Sequence, residues 1–117
     1  MARVTILAED LIWQTRLVNV ARAAGAEVDR AKTARELDAA LGCADALVVD
    51  LTARSYDPVA AIRRAAEIRP GIRVLAVGQH DDQELRRRAF GAGAERVLAY
   101  RKLFEDGPAT LQRWLGS

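Results

Sequence analysis

The sequence predicts an α/β fold: one doubly wound (βα)5 domain with a five-stranded parallel sheet. Three observations point there. Five short apolar runs, at residues 4–8, 26–31, 46–50, 72–77 and 96–100, are spaced along the chain. Between them lie segments whose apolar residues recur at helical spacing. The two types alternate with short connections, and that order gives parallel strands with helices on both faces.

Each element has its own signal. Val4-Thr5-Ile6-Leu7-Ala8 and Ala46-Leu47-Val48-Val49 are almost continuously apolar, as strands covered on both faces are. Ala26-Glu27-Val28-Asp29-Arg30-Ala31 alternates instead, which suits an edge strand with one wet face. The first helix carries Trp13, Leu17, Val20, Ala21 and Ala24 on its stripe, with Gly25 as its stop. Thr33-Ala34-Arg35-Glu36 is a capping box that opens a helix with Ala34, Leu37 and Leu41 on one face. Asp57-Pro58 sets a capping acid before a proline at the first helical position. That helix points Val59, Ile62 and Ala66 inward, sends Arg63, Arg64 and Glu67 outward, and ends by Pro70. Asp81-Asp82-Gln83-Glu84 caps a fourth helix, closed by Gly91. Asp106-Gly107-Pro108 starts the last, with Leu111, Trp114 and Leu115 as its stripe. Trp13 and Trp114 read as packing residues.

Composition narrows the function. With 117 residues, 50% of them hydrophobic and 29% charged, the chain is a single ordered domain, residues 1–117. A net charge of +2 excludes a nucleic-acid binder on bulk charge. Of the 18 basic residues only Lys32 and Lys102 are lysines. One cysteine, Cys43, excludes a disulfide framework and reads as a small half-buried thiol. Neither a signal peptide nor a membrane span is present, so a cytoplasmic protein is expected.

In a doubly wound sheet, chemistry collects at the carboxyl ends of the strands. No G-x-G-x-x-G follows the first strand and no G-x-x-x-x-G-K-[ST] occurs, which excludes the common nucleotide loops. Glu9 and Asp10 follow the first strand, and Asp50 ends the third. Acids converging there would seat a hard cation of the Mg²⁺ type, beside which an aspartate can accept a phosphoryl group. His80 with Asp81 and Asp82 reads as a loop histidine in a helix-cap cluster.

In the order and spacing of Val4-Thr5-Ile6-Leu7-Ala8-Glu9-Asp10, Ala46-Leu47-Val48-Val49-Asp50-Leu51, Val74-Leu75-Ala76-Val77-Gly78 and Phe90-Gly91-Ala92-Gly93-Ala94, the sequence resembles the receiver domain of two-component response regulators. The resemblance covers essentially the whole chain and implies strand order 2-1-3-4-5. It implies Asp50 as phosphoacceptor, with Glu9, Asp10, Asp50 and the backbone carbonyl of Thr52 as the residues toward Mg²⁺. The ungapped register sets Ala8 and Glu9 at the family's acidic pair, with Asp10 as helix cap or outlying acid. Three positions depart from the family. Ala8 lacks the first acid, Gly78 lacks the hydroxyl that ends the fourth strand, and Tyr100 replaces the lysine that ends the fifth. Arg86, Arg87, Arg88, Arg101 and Lys102 form the candidate partner surface.

The expected function is therefore a non-enzymatic, receiver-like signalling module that binds a kinase, an effector or a second copy of itself, without the usual phosphorylation switch. The alternative is a working receiver that takes a phosphoryl group on Asp50 from a histidine kinase. A small phosphatase using Asp50 as nucleophile ranks below both, because only His80 offers a general acid.

Overall fold

The computed structural model describes residues 2–79 and 81–117. Five strands form one sheet: β1 (Arg3–Leu7), β2 (Glu27–Ala31), β3 (Ala46–Asp50), β4 (Arg73–Gly78) and β5 (Arg96–Ala99). All neighbours are parallel, in the order β2-β1-β3-β4-β5. The helices are α1 (Leu11–Ala23), α2 (Ala34–Ala40), α3 (Pro58–Ile68), α4 (Gln83–Ala92), α5 (Tyr100–Asp106) and α6 (Pro108–Leu115).

The sheet separates two apolar layers, because successive strand residues point to opposite faces. Leu7, Leu47, Val49, Val74, Ala76 and Val97 pack against α2, α3 and α4 through Leu37, Ile62 and Ala89. Val4, Ile6, Val48, Leu75 and Val77 pack against α1, α5 and α6 through Leu17, Leu103 and Trp114. The central strands β1, β3 and β4 are buried along nearly their whole length. Strand β2 lies at an edge, as expected, but its exposure does not alternate: Glu27 and Arg30, on opposite faces, are exposed, while Val28 and Asp29 are half-buried.

Four side-chain caps form, although Glu36 accepts from the Thr33 hydroxyl where the capping box expects the backbone N–H, and the last helix starts at Gly107 with no side-chain cap. Asp10 accepts from the N–H groups of Ile12 and Trp13, Thr33 from that of Glu36, Asp57 from those of Val59 and Ala60, and Asp82 from that of Leu85. Several expectations are corrected. A helix over Tyr100–Asp106 precedes the last one, so Tyr100 opens a helix and does not end a strand. Gly107, at φ +62°, makes the break between α5 and α6. On α3 it is Ala65 that is buried, while Ala66 is exposed, because Ala61, Ile62 and Ala65 share the inner face. Ala34 is exposed, as α2 docks through Leu37 and Leu41 alone. Helix α4 runs past Gly91 and ends at Gly93, whose φ of +128° closes it. Cys43 is exposed in the α2–β3 connection and not half-buried. His80 lies outside the described residues. No helix among the described residues is long and apolar enough to cross a membrane.

Candidate functional site

The parallel register brings the ends of β1, β3, β4 and β5 to one rim, where Asp50 stands. The residue is 1% exposed. Oδ1 accepts from the Thr52 N–H at 2.9 Å and from the Thr52 hydroxyl at 2.7 Å. Oδ2 is buried and has no protein partner.

Glu9, Asp10, Asp50 and Thr52 border one depression of about 380 Å³, together with Trp13 and Arg54. The topology thus brings the predicted acids to one place, but their carboxylates are separately engaged. Glu9 crosses to the β3–α3 loop, where it accepts from the N–H groups of Arg54 and Ser55. Hydrogen bonds from Ser55 and Arg54 hold its carboxyl below the usual glutamate range. Asp10 caps α1, the role expected of it in the ungapped register. Among the described residues, no three His, Cys, Asp or Glu side chains are grouped closely enough to hold a metal ion. Arg54, which the sequence reading did not single out, is the one cation among the described residues that lines the depression.

The three departing positions each have a structural counterpart. Ala8 is fully buried, with no side-chain polar atom to offer. At Gly78, a Cβ would stand 3.1 Å from the Leu51 Cβ and 3.4 Å from its Cδ1. The space beside the end of β4 is therefore already filled. Tyr100 is 6% exposed, and its hydroxyl lies beside Asp50 without a hydrogen-bond partner. Burial first, and then the Asp50 charge, push its pKa far above that of free tyrosine, so the hydroxyl stays neutral. Its ring is held by Trp13, at 4.3 Å between centroids, and by Phe104 at 5.6 Å. The Arg16 guanidinium lies over Phe104 at 4.3 Å, so the aromatic group carries a cationic lid.

Two further groups escaped the sequence reading. The Tyr56 hydroxyl lies 2.9 Å from the Asp50 carbonyl oxygen and 3.2 Å from that of Leu7, joining the ends of β1 and β3. Gln14 is buried on α1 and donates to the carbonyls of Ala8 and Ala31, at 3.0 and 3.2 Å. A polar residue on the inner face of a helix next to Leu17 and Val18 was the available signal for Gln14.

The basic residues fall on two helices. Arg86, Arg87 and Arg88 are exposed on α4, whereas Arg101 and Lys102 are on α5. Arg86 donates to the Val97 carbonyl at 2.9 Å, and Arg87 pairs with Glu84. Arg101 pairs with Glu105 at 3.1 Å and Lys102 with Asp106 at 3.3 Å. Arg88 has no carboxylate partner among the described residues.

No protein-family model and no curated protein matches the chain. Solved structures do. The beryllofluoride-activated DrrB receiver domain superposes with a TM-score of 0.86 at 19% identity, over 100% of this chain and 99% of that one. A response regulator of Thermotoga maritima gives 0.84 at 21% identity, over 100% and 99%. The chain has the receiver-domain fold. A Burkholderia pseudomallei protein described as pilus assembly-related superposes as well, with a TM-score of 0.79 at 25% identity over 99% of this chain and 87% of that one. The strand order agrees with the expected 2-1-3-4-5.

Proposed function

We propose that the chain is a receiver-like signalling module that acts by binding another protein and does not switch through phosphorylation of Asp50. Tyr100 carries this reading. A phosphoryl group on Asp50 would add about two negative charges beside Glu9 and Asp10. Such a group is retained, and moves the fold, when donors answer its charge in one state better than in the other. At the end of β5 the group next to Asp50 is a neutral, buried hydroxyl. The Lys102 ammonium is on Asp106, and Gly78 has no hydroxyl to offer. Among the described residues Arg54 is the remaining cation at the depression, and it is exposed on a loop.

The partner would be a kinase, an effector or a second copy of the chain, met through the exposed arginines of α4. The neighbour described as pilus assembly-related suggests a further setting, that of pilus assembly. A cytoplasmic location and no turnover of its own go with this reading.

The test is incubation with Mg²⁺ and beryllofluoride, and separately with acetyl phosphate, followed by amide-shift mapping and intact mass. The expected result is no change that depends on Asp50. An adduct or shift that disappears in Asp50→Asn would overturn the reading in favour of a working phosphoacceptor. Turnover of a chromogenic phosphoester, lost in the same variant, would overturn it in favour of a hydrolase.

A further inference from the structure

A depression larger than the one at Asp50 lies between α2 and α3, with a volume of about 650 Å³. Its origin is in the sequence. The facing residues Ala34, Ala60 and Ala61 are too short to meet across the gap, so the helices stand apart above Leu37 and the ring of Tyr56. The floor is thus apolar and continuous with the core layer under α2 and α3.

The rim is charged on both sides: Asp38, Asp57 and Glu67 stand with Arg35, Arg63 and Arg64. Arg64 bridges the two helices by a two-pronged contact with Asp38, both bonds 3.3 Å, and its other nitrogen lies 3.7 Å from Glu67. Asp57 spends its carboxylate on the N–H groups of Val59 and Ala60, and its charge is offset by the start of α3. Arg35 on α2 and Arg63 on α3 also line the depression, and among the described residues neither has a carboxylate within 4 Å. Two uncommitted guanidinium groups therefore overlook an apolar floor. The volume falls within the roughly 300–1,000 Å³ of small-molecule sites.

From this arrangement we propose that the α2–α3 groove binds a soluble amphiphilic anion, an aromatic ring system or short chain carrying a carboxylate, sulfonate or phosphate. The apolar part lies on Leu37, Tyr56 and the alanines, and the anionic head meets Arg35 and Arg63. The site is separate from the Asp50 depression and does not depend on whether Asp50 is modified. Tyr56 gives the two a physical link, since its ring lines the groove while its hydroxyl holds the backbone at Asp50.

The test uses the whole chain and the dye 1-anilinonaphthalene-8-sulfonate, with the uncharged N-phenyl-1-naphthylamine as comparison. Titration of the sulfonate should shift the amides of residues 34–38 and 55–64 and raise the melting temperature, because a ligand of the folded state stabilises it. The double variant Arg35→Ala/Arg63→Ala should bind about tenfold more weakly. Ala60→Trp, at an exposed position, should fill the groove and abolish those shifts. Inorganic phosphate alone should leave the amides unmoved, since the floor supplies much of the affinity. The proposal is overturned if the shifts centre on exposed Leu11, Ile12 or Phe90, or if the dye lowers the melting temperature. It is equally overturned if the uncharged compound binds as tightly as the sulfonate, or if both variants bind like the parent chain.

Discussion

Tyr56 and Tyr100 are both buried beside Asp50, and they stand in opposite positions on hydrogen bonding. The Tyr56 hydroxyl is spent on two strand-end carbonyls, whereas that of Tyr100 has no protein partner. Removing a satisfied buried hydroxyl leaves its acceptors short, at a cost of about 1–3 kcal/mol, while removing an orphan one relieves a desolvation cost. Urea denaturation should therefore show Tyr56→Phe destabilised by about that amount, and Tyr100→Phe unchanged or more stable. Glu9 makes a second prediction, in pH. Ser55 and Arg54 depress its pKa in the folded chain. That stabilisation is complete above the unfolded value of about 4.3 and is lost as pH falls through the lower folded value. Glu9→Gln should melt below the parent at pH 7, and the gap should close in acid. Asp50, Glu9 and Asp10 were legible as residues because Asp50 ends a strand and the other two lie within three residues of the end of one. Tyr56 was not, because its value lies in carbonyls of two strands, one of them 49 positions away. The direction of the Glu9 side chain was hidden for the same reason, since its partners lie 45 and 46 residues on.

At the scale of elements, local chemistry reads well. The caps at Asp10, Thr33, Asp57 and Asp82 are bonds within three residues, and short-range bonds of this kind are visible in the sequence. Asp10 is the informative one, because a capping acid and a cation ligand look alike on paper. A cap needs an oxygen and tolerates asparagine, while loss of the oxygen costs about 1 kcal/mol. Denaturation of Asp10→Ala should show that loss, and Asp10→Asn should stay close to the parent. Helix α5 was missed although Tyr100, Leu103 and Phe104 have helical spacing. An apolar run at 96–100 looked like one strand reaching through Tyr100, and no capping side chain marks the change from strand to helix. The shift of Ala66 to Ala65 on α3 has a similar cause: in an alanine-rich stretch the stripe is weakly marked.

For the whole molecule, the alternation of elements was enough to order the layers, because parallel strands need helical crossovers and these have one favoured hand. What alternation could not convey is which side chains from different crossovers meet at the rim. Leu51 and Gly78 are such a pair, brought together by the adjacency of β3 and β4. Gly78→Ser should cost about 1–3 kcal/mol in the parent through overpacking. In a Leu51→Ala background the same change should cost measurably less, and a double-mutant cycle of melting curves would reveal the coupling. This contact also acts as a ratchet on the history of the fold. A serine arriving first at 78 meets the leucine, and a small residue arriving first at 51 opens a void, so either single step toward a hydroxyl at this rim descends before it can climb.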